Sequence, residues 1–172
     1  MKSILALAIV FALPSLGSAQ TPPTDPISQS IRNTWSGAKR NITESADQMP
    51  EADYAFKPVD TVRSFGAILA HIAGANYVFC APARGDKTEY EEDHFEKTTK
   101  TKAEVIKALN DSIAYCDAAY TALTDKTAAE MISANTARAQ RLIANAGHLQ
   151  EHYGNLVTYF RIKGMVPPSS RR

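Results

Sequence analysis

The sequence predicts an all-α protein, a four-helix bundle in up-down-down-up order with a long crossover loop between its second and third helices. Three observations carry this reading. Four long stretches place apolar residues at helical spacing. No strand-like alternation runs longer than three or four residues. The positions of the two cysteines and the length of the middle loop argue for the order of the helices.

The chain has 172 residues and opens on a leader. Lys2 supplies a positive end, Ile4 to Leu13 an apolar run, and Gly17-Ser18-Ala19 the small residues that a signal peptidase reads. Residues 1–19 therefore read as a cleavable signal peptide, and residues 20–172 as one domain in a periplasmic or secreted setting. The apolar run is shorter than the roughly 20 residues that a span needs. No membrane span is expected after cleavage. The net charge of +1 falls to zero once Lys2 leaves, and the signs are interspersed. A neutral chain with no basic stripe carries no footprint for nucleic acid.

Asp25-Pro26 opens the first helix with a cap residue and a proline at the first helical position. Ile27, Ile31, Trp35, Ala38 and Ile42 mark its apolar face as far as Met49, and Pro50 ends it. Residues 50–63 read as a connection pinned by Tyr54, Phe56 and Pro58. The second helix is expected from Ser64 to Phe79, with Phe65, Ile68, Leu69, Ile72, Ala75 and Phe79 buried. His71 lies beside that face, with Ala67, Gly74 and Ala75 around it; such small neighbours leave room for a ligand or allow close helix packing.

Residues 81–100 form a charged loop with Pro82, Gly85, four acidic residues from Glu89 to Asp93, and His94. A loop of about twenty residues in a small domain wants a reason. Thr101 and Glu104 make a capping box for the third helix. Its stripe is Val105, Leu109, Ile113, Cys116, Tyr120 and Leu123, and Thr124-Asp125-Lys126 breaks it. Thr127 to Glu130 looks like another capping box, opening a short helix or turn. The last helix runs from about Thr136 to Lys163 on Leu142, Ala146, Leu149, Tyr153, Leu156 and Phe160. Gly164 and Pro167-Pro168 stop it.

Cys80 and Cys116, an even pair in an exported chain, read as a disulfide. Were helices two and three antiparallel neighbours, Cys80 would lie near the start of helix three, about 22 Å from Cys116 at 1.5 Å per residue. A disulfide needs Cα atoms within about 7 Å. Parallel helices joined by a crossover satisfy both the bridge and the loop length.

Chemistry concentrates in His148-Leu149-Gln150-Glu151-His152. Imidazoles at i and i+4 share a helix face and can bind one ion without backbone distortion. Taken alone, the pair equally fits one exposed and one packed histidine. With His71 it makes a candidate open-sided, three-imidazole site. The string also matches an inverted zincin motif, but no Asp or Glu follows His152 to supply the third ligand. Glu151 lies about 60° from His148 and about 100° from His152 around the helix. It is the candidate catalytic residue, with a surface glutamate as the other reading. Asn155 and Tyr159, on the His148 side, are candidates to support the ligands or line a pocket.

Residues 63–73, Arg63-Ser64-Phe65-Gly66-Ala67-Ile68-Leu69-Ala70-His71-Ile72-Ala73, resemble the second-helix signature of the DinB/YfiT-like superfamily. Residues 148–159, with Arg161, Gly164 and Val166 to Ser170, resemble its last helix and exit loop, and the Met49 to Pro58 connection is similar too. The resemblance implies an up-down-down-up bundle that binds a divalent metal through one histidine on the second helix and two on the last. Those positions are His71, His148 and His152. Zinc, nickel, iron and manganese all fit the family. It further implies a thiol S-transferase and a homodimer; the open three-ligand count adds activation of a water, and so a metal-dependent hydrolase acting on a small molecule, with a non-catalytic metal-binding or stress-response module as the alternative. The thiols that such transferases use are mainly cytosolic, whereas this chain reads as exported.

Overall fold

The computed structural model describes residues 24–171; the leader read at residues 1–19 lies outside them. The protein is mostly helical, as expected. Four long helices are α1 (Pro26–Gln48), α2 (Phe65–Arg84), α4 (Lys102–Thr121) and α6 (Arg138–Ile162). Short helices α3 (His94–Thr98) and α5 (Asp125–Ala128) sit in the connections. A small antiparallel hairpin, β1 (Met131–Ser133) with β2 (Thr136–Ala137), precedes α6. These strands are too short to leave an alternation in the sequence, and they delay the start of the last helix from Thr136 to Arg138.

α2 is the central element, packed against α4 and α6, while α1 packs on α6 and α4. It is apolar on nearly every side, and its residues from Phe65 to Asn76 are buried except Ala67. By length and composition alone, α2 is apolar enough to cross a membrane. Here its faces are covered by protein instead, as a core helix requires. The bridge Cys80–Cys116 forms, with Cα atoms 5.4 Å apart. One turn below it, Asn76 Nδ2 donates to Ser112 Oγ at 3.0 Å. Asn145 Nδ2 donates to Asn76 Oδ1 at 2.9 Å, and Tyr120 Oη donates to Asn145 Oδ1 at the same distance. This buried chain of polar groups ties α2, α4 and α6 together with its partners satisfied.

Four further details of the helices differ from the sequence reading. α2 does not stop at Phe79 but continues through Pro82 to Arg84. Proline removes the N–H that would serve the Val78 carbonyl. Arg141 Nη2 supplies the missing donor at 2.8 Å, and Arg138 Nη1 donates to the Ala83 carbonyl in the next turn. Gly85, at φ 82°, then closes the helix in the left-handed conformation. Second, Asp25 occupies the N-cap of α1 but its side chain does not cap it. Asp125 does so from α5, accepting from Ser28 N at 2.7 Å and Ile27 N at 3.3 Å. Third, the stripe of α1 starts one residue late, because Ser28 is buried there and Ile27 is exposed. Fourth, the second capping box begins at Thr124, whose side chain accepts from Thr127 N. Thr127 therefore lies inside α5 rather than ahead of it. The box at Thr101 and Glu104 forms as read.

Candidate metal centre

Ser64 sets the start of α2 by accepting from Ala67 N at 3.3 Å. Two turns on, His71 points across to α6. His148 and His152 meet it from successive turns of that helix. His71 Nε2 lies 3.2 Å from His148 Nε2, and His152 Nε2 lies 3.0 Å from the same atom. One nitrogen from each ring falls within 4.8 Å of the other two. His71 and His152 are buried and His148 is half-buried.

This geometry suits a first-row ion. Nitrogens bound at about 2.0–2.1 Å with tetrahedral angles would sit about 3.3 Å apart. The electrostatics agree. Burial, with His71 and then Arg63 nearby, pushes His148 down to about 4. Burial, with His148, His71 and Arg63, does the same to His152, against a small opposing pull from Glu151. Both imidazoles are therefore neutral at pH 7, which is the ligand form. A cation among the three converging Nε2 atoms would accept a lone pair from each.

Outer groups address the remaining ring nitrogens. The Asn155 amide is 3.4 Å from His152 Nδ1. With the amide oxygen turned inward it accepts Nδ1–H and leaves Nε2 free to ligate. Tyr159 lies further along: its hydroxyl donates to the Arg63 carbonyl at 2.6 Å, and its ring stands edge-on to Phe56 and Phe65. Tyr159 thus braces the segment before α2 rather than touching a histidine. Phe79 stacks obliquely on His148 with centroids 5.5 Å apart. Glu151 is exposed and reaches His152 only through space.

One residue escaped the sequence reading. Glu96, on α3, places Oε1 3.3 Å from His71 Nδ1, although not at a hydrogen-bonding angle. Its Oε2 accepts from Arg63 Nε at 3.0 Å. The available signal was Gly74. A Cβ there would lie 2.7 Å from the Glu91 carbonyl oxygen and closer still to that of Glu92. Only glycine lets the acidic segment lie on α2 beside His71. His94, in the same charged loop, is half-buried between Tyr90 and Phe95.

A cleft of about 740 Å³ opens beside the cluster. Its walls include apolar Val59, Val62 and Ile68 and polar Arg63, Asn155 and Tyr159, and His152 belongs to both cleft and cluster. The volume suits a small molecule.

The family model described as the DinB superfamily matches residues 34–156. The chain belongs to the DinB superfamily. The match runs from within α1 through most of α6 and includes all three histidines. Among solved structures, the DinB chain is similar to a conserved protein of Enterococcus faecalis, with 15% identity and a TM-score of 0.64. The superposition covers 79% of this chain and 96% of that one. At that identity the likeness is one of fold alone. No curated protein matches the chain.

Proposed function

We propose that this DinB-superfamily chain is an exported metal-binding protein whose His71, His148 and His152 hold one divalent ion through their Nε2 atoms. The convergence of three Nε2 atoms on one point carries the reading. Zinc, nickel, iron and manganese are the candidate ions, since imidazole alone does not choose among late first-row metals. Three protein ligands leave a coordination position for a small molecule from the cleft, as catalytic sites do. An ion held there would supply Lewis acidity, lowering the pKa of a water or thiol bound to it. The chain's own groups orient the rings through Asn155 and shape the approach through Val59, Val62 and Arg63. The class of activity is a metal-dependent hydrolase or a thiol S-transferase. The alternative is a binding or stress-response module with the same site and no turnover. Metal-dependent conversion of a thiol or ester substrate, abolished by chelator, separates the two.

An up-down-down-up bundle with a crossover from α2 to α4 belongs to the same proposal. Contacts 76–112 and 80–116 rise along α2 and α4 together, whereas 71–148, 76–145 and 78–141 run oppositely along α2 and α6. Export is supported by the leader composition and by the bridge Cys80–Cys116, which suits an oxidising compartment. A homodimer is proposed on family resemblance, with sedimentation as its test.

The binding reading is tested by thermal unfolding of tag-free apoprotein with and without zinc or nickel. A ligand that binds only the folded state raises the midpoint, by about 2.7 kcal/mol at 100 times Kd. The rise is expected in wild type and absent in His148→Ala. An equal shift in both proteins, or none in either, contradicts the proposal.

A further inference from the structure

We propose that Glu96 is a positioning residue that fixes the ring and tautomer of His71 for ligation; the inference rests on the three-histidine reading. His71 carries two ring nitrogens with opposite duties. Nε2 faces His148, so Nδ1 must carry the proton if Nε2 is to ligate. Nδ1 is buried, and the Glu96 carboxylate is the acceptor beside it, with Oε1 at 3.3 Å. Oε1 is itself buried without another partner. Each orphan answers the other, and a slight turn of the carboxylate brings Nδ1–H into line.

The carboxylate is held there from both sides. Arg63 Nε grips Oε2 at 3.0 Å, so the group cannot swing toward solvent. Its backbone is held by the fit of residues 91 and 92 over Gly74. Aromatic packing anchors the same segment: Tyr77 meets Tyr90 with centroids 4.6 Å apart and Phe95 at 6.0 Å. The segment between α2 and α4 therefore delivers a carboxylate to the back of a ligand ring. A bundle made only of its four long helices would have none at that position. Carboxylate–histidine pairs of this kind raise ligand basicity and hold the ring in place.

Cobalt(II) titration of tag-free apoprotein, followed by visible absorption, tests the role. Glu96→Gln keeps the shape and removes the charge, weakening the pairing with Nδ1–H and the exposed ion pair with Arg63, while the fit over Gly74 and the aromatic contacts keep the segment folded. A 10–100-fold loss of cobalt affinity is expected, in line with other outer-shell carboxylates. A changed visible band should accompany it, with the apoprotein's thermal midpoint unmoved. Glu96→Asp should recover part of the affinity. Cobalt affinity and spectrum in Glu96→Gln equal to wild type would overturn the inference while leaving the three-histidine site standing. Failure of wild type to bind cobalt would remove that site, and this inference with it.

Discussion

Arg141 donates from Nη2 to the Val78 carbonyl at 2.8 Å, the oxygen that Pro82 leaves without a helical donor. A side chain of α6 thereby carries α2 past a proline. Its guanidinium also lies over Phe79, 5.0 Å from the ring centroid, and Phe79 in turn packs on His148. Replacing Arg141 by Met should cost about 1–3 kcal/mol, the usual penalty for a buried acceptor left unpaired. Pro82→Ala restores an N–H for Val78, so the cost should be smaller in that background. Urea unfolding of the four proteins in the cycle measures the difference, and equal costs in both backgrounds would refute the pairing.

Gly74→Ala should be severe for so small a change. The added methyl meets the carbonyls of Glu91 and Glu92, which are backbone and cannot rotate away. Overpacking of this kind costs about 1–3 kcal/mol. Amide exchange should rise through residues 90–98, while the amides around Cys116 keep their protection. A variant with wild-type exchange in that segment would show that the loop does not rest on Gly74.

Reducing Cys80–Cys116 opens a loop of 36 residues in sequence separation. The chain-entropy relation gives about 4 kcal/mol for a loop of that length. The double variant Cys80→Ala, Cys116→Ala should lose stability on that scale in urea and still fold, since the hydrogen bonds of Asn76 with Ser112 and Asn145 remain. Stability within about 1 kcal/mol of wild type, well short of that relation, would mean that the bridge adds little.

The apoprotein should weaken on mild acidification. His148 and His152 are held at about 4 when folded, below the ordinary value of 6.5. Between those pH values the unfolded chain binds protons that the folded chain refuses. Stability therefore rises with pH through the window and is lost as pH falls from 6.5 toward 4. Urea midpoints measured from pH 7.5 to 4.5 should fall more steeply for wild type than for His148→Gln, His152→Gln. Parallel profiles would contradict the neutral, buried pair.

Much of this was legible in the sequence. The stripes read for the last two long helices are buried residue for residue, Leu123 falling just past the end of α4, because helical periodicity reports directly on which face meets the core. The His148–His152 pair was readable for the same reason. The helix ends were less so. Pro82 is an ordinary stop signal, and its rescue depends on Arg141, 59 positions later. Asp125 caps α1 from nearly a hundred residues away. Glu96 was invisible because its meaning comes from the fold of a loop with no periodicity. Only Gly74, on another element, recorded that the loop lies there.

The central claim is that His71, His148 and His152 act as one metal site. Metal analysis of protein purified without a histidine tag tests it most directly, alongside His71→Ala. Wild type should carry close to one divalent ion per chain, and the variant should lose most of it. Metal content that is sub-stoichiometric in wild type and no lower in His71→Ala would contradict the account.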